Sequence, residues 1–272
     1  MPSIFQIDAF TGRLFGGNPA AVVPLEEWID DDTLQAIAAE NNVSETAFLV
    51  ASDEEGVDYH LRWFTPVAEV DLCGHATLAA GHALFRHLGF EGRLARFQTR
   101  SGVLSVEDDL GLYTLDFPAL PREPREVTGA LVEALGRRPA EVFTGMDLMC
   151  VFENKRDVHE CEPNLSVLAA LGGVRAVIVT APATSHDFVS RVFAPAVGIG
   201  EDPVTGSAHC MMTPYWSEQF GKRRLTAHQV SKRGGEIECE LVEREDGERR
   251  VRLAGHAVTY LEGEIRLPSH EG

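Results

Sequence analysis

The chain has 272 residues, 44% hydrophobic and 24% charged, a composition that can bury a sizeable core in one large or two ordinary domains and excludes intrinsic disorder. Its 24 Lys plus Arg against 42 Asp plus Glu give a net charge of −18, which repels phosphate and argues against a nucleic-acid or anionic-membrane partner. The opening MPSIFQIDAFTG has no basic region, and no apolar run approaches the ~18 residues of a bilayer span; Cys73, Cys150, Cys161, Cys210 and Cys239 form no CxxC pair, so a cytoplasmic, reduced protein is expected.

Residues 4–8 and 20–24 read as a first strand pair around the loop Thr11 to Pro19. Asp30 to Asp32 then cap a helix running to Glu40, with Leu34, Ile37 and Ala38 on one face. VSETAFLV (43–50) and Tyr59 to Phe64 read as strands. Gly74 to Leu88 reads as a helix stopped by Gly89, and its Ala76, Ala79, Ala80, Gly81 and Ala83 suit close packing on all sides. Residues 93–117 are strand-like around a turn at Glu107 to Gly111, after which Pro118, Pro121 and Pro124 mark a linker. Beyond it, Thr128 to Leu135 and Asn164 to Leu171 read as helices and Val174 to Thr180 as a strand. Thr205 to Phe220 is a helix ending at Gly221, with Pro214 expected to kink it. Gly234-Gly235 marks a hairpin turn and Ala257 to Leu261 a last strand, giving a mixed α and β pattern.

An internal echo organises these elements. Arg62-Trp63-Phe64-Thr65-Pro66 and Arg191-Val192-Phe193-Ala194-Pro195 share R-x-F-x-P at an offset of 129 residues, and nearly the same offset lays VSETAFLV over VRAVIVTA. Each copy leads through an acidic stretch into a small-residue helix start, Cys73-Gly74-His75-Ala76 or Thr205-Gly206-Ser207-Ala208. Two structurally similar halves are inferred.

Helix N-termini carry unsatisfied N–H groups and a partial positive charge, so Gly74 and Gly206 open two candidate anion sites; alternatively they only permit close packing. Strand alternation puts Glu45 with Val43, Ala47 and Leu49, where a carboxylate is partly desolvated, as general acid/base work requires; an ordinary strand-end Glu is the alternative. His75 could orient a substrate or cap its helix, and Cys73 could be a low-pKa thiol or a small buried side chain. Asp202 and Ser207 flank the second turn as substrate ligands or caps. The ten His include no HExxH and no metal-ligand spacing, and Phe15-Gly16-Gly17-Asn18-Pro19 is not a P-loop, so neither a metal nor a nucleotide cofactor is expected.

The blocks IDAFTGRLFGGNPAAVV (7–23), NNVSETAFLV (41–50), RWFTPVAEVDLCGHATLAAGHAL (62–84) and GIGEDPVTGSAHC (198–210) together resemble the phenazine biosynthesis PhzF-like family of the diaminopimelate epimerase superfamily. The resemblance implies an α+β, diaminopimelate epimerase-like fold of two pseudo-symmetric halves, each a curved mixed sheet around a central helix, with the active site in the cleft between them. The halves would be residues 1–118, with the C-terminal strand available to complete them, and 119–272. It implies a cofactor-independent isomerase, often a homodimer, that moves a proton on a small anionic, carboxylate-bearing metabolite. Glu45 would be the catalytic carboxylate, with His75 and Asp202 also catalytic. Gly74, Gly206, Ser207 and Cys73 would contact substrate. The epimerases use a cysteine at each helix start; here the second start has none, and Cys210 lies inside the helix. An epimerase or racemase pairing Glu45 with Cys73, and a non-catalytic binding or regulatory protein, are the alternatives.

Overall fold

The computed structural model describes residues 1–267. The chain divides into two compact units, one formed by residues 1–116 with the segment from Gly255 onward, the other by Phe117–Ala254. Among the described residues no helix is long and apolar enough to cross a membrane.

The first unit runs β1 (Ser3–Ala9), β2 (Asn18–Leu25), α1 (Asp31–Asn41), β3 (Glu45–Ala51), β4 (Tyr59–Phe64), β5 (Glu69–Val70), α2 (Gly74–Arg86), β6 (Leu94–Thr99), β7 (Gly102–Asp109) and β8 (Leu112–Pro118). β1 and β2 are antiparallel, β2 and β3 parallel, β3 and β4 antiparallel, β4 and β6 parallel, and β6, β7 and β8 continue antiparallel. The C-terminal strand Ala257–Glu264 closes the other edge, antiparallel to β1.

The second unit repeats this plan with β9 (Glu123–Arg125), α3 (Gly129–Leu135), β10 (Glu141–Thr144), β11 (Leu148–Val151), α4 (Lys155–His159), α5 (Leu165–Ala169), β12 (Val177–Pro182), β13 (Phe188–Ala194), β14 (Ile199–Asp202), α6 (Gly206–Phe220), β15 (Arg224–Gln229), β16 (Gly235–Glu243) and β17 (Arg249–Gly255). β10 and β11 are antiparallel, β11 and β12 parallel, β12 and β13 antiparallel, β13 and β15 parallel, and β15, β16 and β17 antiparallel. Strand for strand, this is the pairing sequence of the first unit.

Each unit is built on a helix with no solvent face. Every residue of α2 from His75 to Leu84 is buried, as is every residue of α6 from Ala208 to Ser217. A helix buried all round must be enclosed by other elements, and small side chains let them approach. At Gly81 a Cβ would lie 2.5 Å from Val106 Cγ1 of β7. Pro214 sits inside α6 without ending it; the carbonyl of Cys210, which a residue with an N–H at 214 would have bonded, accepts instead from Leu120 N at 3.1 Å.

The R-x-F-x-P echo acquires a physical meaning. Arg62 donates through Nε and Nη2 to both carboxylate oxygens of Glu69 (2.7 and 2.9 Å) and lies 5.1 Å from the Phe64 ring centre. Arg191 does the same to Glu201 (2.7 and 3.0 Å) and lies 4.9 Å from Phe193. In each copy the bidentate pair ties β4 or β13 to the short strand β5 or β14 that leads into the central helix.

Several boundaries differ from the sequence reading. β3 starts at Glu45, so Val43 and Ser44 form a bend before it. α2 ends at Arg86, because Leu88 N and Phe90 N turn back onto Ala83 O and Leu84 O before Gly89 takes its left-handed φ of +66°. Residues 93–117 make three strands: a second reversal at Arg100-Ser101 is closed by Thr99, whose hydroxyl oxygen accepts from Ser101 N and donates to Gly102 O. β12 starts at Val177 and α5 ends at Ala169, both inside the expected spans.

The Gly81 contact sets a test. Gly81→Leu is expected to lower the thermal midpoint by the equivalent of about 1–3 kcal/mol through overpacking against Val106, and Val106→Ala in that background is expected to recover part of the loss. Unfolding followed by circular dichroism reads both.

Candidate functional site

Both central helices begin without a side-chain cap, although α1, α3, α4 and α5 are capped by Asp30, Thr128, Asn154 and Asn164. At α2 the N-cap residue is Cys73, whose sulfur is a weak acceptor. At α6 it is Thr205, a good capping residue by type, but its hydroxyl donates to Asp202 Oδ2 at 2.6 Å. The seven residues singled out in the sequence fall at these two starts. Glu45, Cys73, Gly74 and His75 belong to the first unit, and Asp202, Gly206 and Ser207 to the second.

In the first unit, Glu45 opens β3 with its side chain 13% exposed, and its Oε2 lies 2.9 Å from Nε2 of His75, the second residue of α2. The contact is an ion pair when the ring is protonated, and Oε2 is buried, with His75 Nε2 the group that stands against it. Asn18, fully buried at the start of β2, places its amide nitrogen 3.2 Å from His75 Nδ1 and accepts from Ser44 Oγ at 2.7 Å through Oδ1. With the amide N–H donating to Nδ1, the proton of the neutral ring sits on Nε2, facing Glu45. With the amide turned over, Oδ1 would accept from Nδ1–H of the imidazolium, and the Ser44 hydroxyl, which can donate or accept, would fit either orientation.

Burial by itself would lower the pKa of His75, but its neighbours Cys73 and Glu45 together outweigh it and hold the ring well above 6.5. Cys73 Sγ lies 3.5 Å from His75 Nδ1. Burial, followed by the nearby charge of Glu45, pushes the Cys73 thiol up to about 11. Of the two readings of Cys73, the small buried side chain holds: the helix terminus does not compensate for a desolvated sulfur beside a carboxylate. One ligand atom from each of Glu45, Cys73 and His75 lies within 4.8 Å of the others, a grouping that could hold a cation and that sequence spacing did not reveal because β3 and α2 are separated in the chain.

In the second unit, Gln229, buried at the end of β15, locks the turn before α6. It accepts from Thr205 N at 2.9 Å and donates to Asp202 O at 2.7 Å. Ser207 Oγ accepts at 3.1 Å from Nη2 of Arg175, which is itself paired with buried Asp147. Asn18, Ser44, Gln229, Asp147 and Arg175 escaped the sequence reading; each is a polar residue at a strand end, and only the fold shows that its bonds reach a helix start.

A family model described as phenazine biosynthesis-like protein, PhzC-PhzF, matches residues 7–263. An uncharacterized isomerase of Pseudomonas aeruginosa is 48% identical over 265 residues, covering 97% of this chain and 99% of its own. A human phenazine biosynthesis-like domain-containing protein is 39% identical over 286 residues, covering 96% of this chain and 98% of its own. The crystal structure of a PhzF-family protein from Enterococcus faecalis matches with a TM-score of 0.92 and 43% identity over 98% of this chain and 99% of that one. A probable proline racemase from Agrobacterium radiobacter shares the fold at a TM-score of 0.67 and 11% identity, over 100% of this chain and 94% of that one.

The Glu45–His75 pair has a definite pH signature. Because the folded-state pKa of His75 is raised, the pair's contribution to stability is complete below about 6.5 and is lost as pH rises through the folded value. In Glu45→Gln one of the two raising neighbours is lost while Cys73 remains, and the His75 pKa followed by NMR is expected to fall from its wild-type value. An unchanged value would remove Glu45 as a cause.

Proposed function

The chain belongs to the phenazine biosynthesis-like family, of diaminopimelate epimerase-like fold, and from that premise we propose that it is an isomerase in which Glu45 moves a proton on a small carboxylate-bearing metabolite. The observation that carries the reading is the Glu45 carboxylate itself, largely buried, with its Oε2 2.9 Å from Nε2 of a histidine. Curated relatives named isomerases support the reaction class.

In the proposed reaction Glu45 takes a proton from an activated carbon. The C–H electron pair enters the substrate's conjugated system, and the carboxyl, its proton exchanging with solvent, delivers a proton to a different carbon, so nothing is oxidised or lost. His75 balances the charge of Glu45 and holds its orientation through Asn18. In the first unit the uncapped N–H groups at Gly74 suit a carboxylate beside Glu45; in the second the start of α6 at Gly206 offers the same groups, next to Asp202 and Ser207. An epimerase pairing Glu45 with Cys73 would draw on the proximity of the two groups, but a thiol titrating near 11 is a poor base at neutral pH.

A thermal-shift screen of small amino and hydroxy acids, followed by NMR of each binder in D₂O, tests this. Deuterium is expected at a carbon other than the one deprotonated; label confined to a single stereocentre would indicate the epimerase, and binding without any exchange a regulatory protein. Glu45→Gln is expected to lose about 10²–10⁴ in rate while remaining folded, whereas Cys73→Ser retains turnover.

A further inference from the structure

The two units place side-chain clusters at corresponding junctions but fill them with different chemistry. In the first unit the junctions are the start of β2, the start of β3 and the first turn of α2, and they carry Asn18, Glu45 and His75. In the second they are the residue before β11, the approach to β12 and the first turn of α6, and they carry Asp147, Arg175 and Ser207. Parallel pairing aligns the strands alike in both, with Ala20 opposite Glu45 and Leu148 opposite Val177. One junction therefore holds an acid/base pair, the other a cation.

That cation is held rigidly. Asp147, its side chain 1% exposed, accepts from Nε and Nη2 of Arg175 at 3.0 and 2.7 Å, and Ser207 Oγ accepts from Nη2 at 3.1 Å. Nε and Nη2 are thereby committed, while Nη1 makes no bond among the described residues and the side chain remains 44% exposed. Ser207, having accepted from Arg175, keeps its hydroxyl proton for another partner. A guanidinium already fixed by a buried carboxylate loses little rotamer freedom on taking a second anion, which is the arrangement that planar carboxylate recognition uses.

We propose that Arg175, fixed by Asp147 and Ser207, is a carboxylate-binding side chain of the second unit, taking a carboxylate through Nη1 and the Ser207 hydroxyl. This rests on the reading of the protein as an isomerase of a carboxylate-bearing metabolite and adds a specificity-determining group to it. Arg175 would select for an anionic group on that metabolite.

Malonate serves as the probe, titrated calorimetrically at constant ionic strength. Wild type and Glu45→Gln are expected to bind it with the same affinity, so loss of turnover in Glu45→Gln leaves the result intact. Arg175→Gln alone strands a buried carboxylate, so it is paired with Asp147→Asn. The double variant is expected to remain folded by circular dichroism and to bind malonate at least tenfold more weakly. Arg175→Lys with native Asp147, which keeps the charge but not the fork, is expected to be intermediate. Failure of wild type to bind malonate, or equal binding by the folded double variant, would overturn the assignment and leave Arg175 as a structural ion pair.

Discussion

A helix buried on every side can meet a ligand only at its ends. That constraint governs both units: α2 and α6 spend their length on packing, and what remains of each for chemistry is its first turn. The strands that enclose a helix then decide what stands there. In the first unit β2 and β3 run parallel, so their starts come to the same end of the sheet and bring Asn18 and Glu45 to His75. A side chain such as the Asp30 cap of α1 would occupy the N–H groups of that first turn, and the two central helices do without one.

The helix starts also need a fixed approach. The short strands β5 and β14 are too brief to hold their place by backbone pairing alone, and in each an Arg–Glu fork with a phenylalanine beneath it supplies the missing constraint. Ion pairs of this partly buried kind contribute more to geometric definition than to net stability. Their recurrence explains why the R-x-F-x-P pattern is the part of the internal duplication that remains visible in the sequence, while strand-packing residues, free to exchange among apolar types, have diverged.

The architecture and the proximity of Glu45 to a helix start were readable because their signals are local: alanine density in α2, the Asp30 cap, and Glu45 and His75 in short blocks with distinctive neighbours. What escaped depends on distance. Arg175 falls inside the segment Val174 to Thr180 that reads as a strand, and its ties to Asp147 and Ser207 are ones no spacing rule connects to it. The reversal at Arg100-Ser101 contains no glycine of its own and is closed by the Thr99 side chain, so turn composition did not mark it. For Cys73 a helix start alone left an acidified thiol and a small buried side chain both open, and the packed structure, with its burial and the adjacent Glu45 charge, selects the second.

The two units also differ in when they can form. The second is a single uninterrupted stretch, Phe117–Ala254, whereas the first takes Ala257–Glu264 as the edge strand beside β1. A chain emerging from the ribosome therefore carries all of its second unit before it holds the final strand of its first, and β1 keeps an unpaired edge throughout that interval. The unit bearing Glu45 and His75 is completed last, so a product truncated before Ala257 would contain both residues in a sheet that lacks its edge strand.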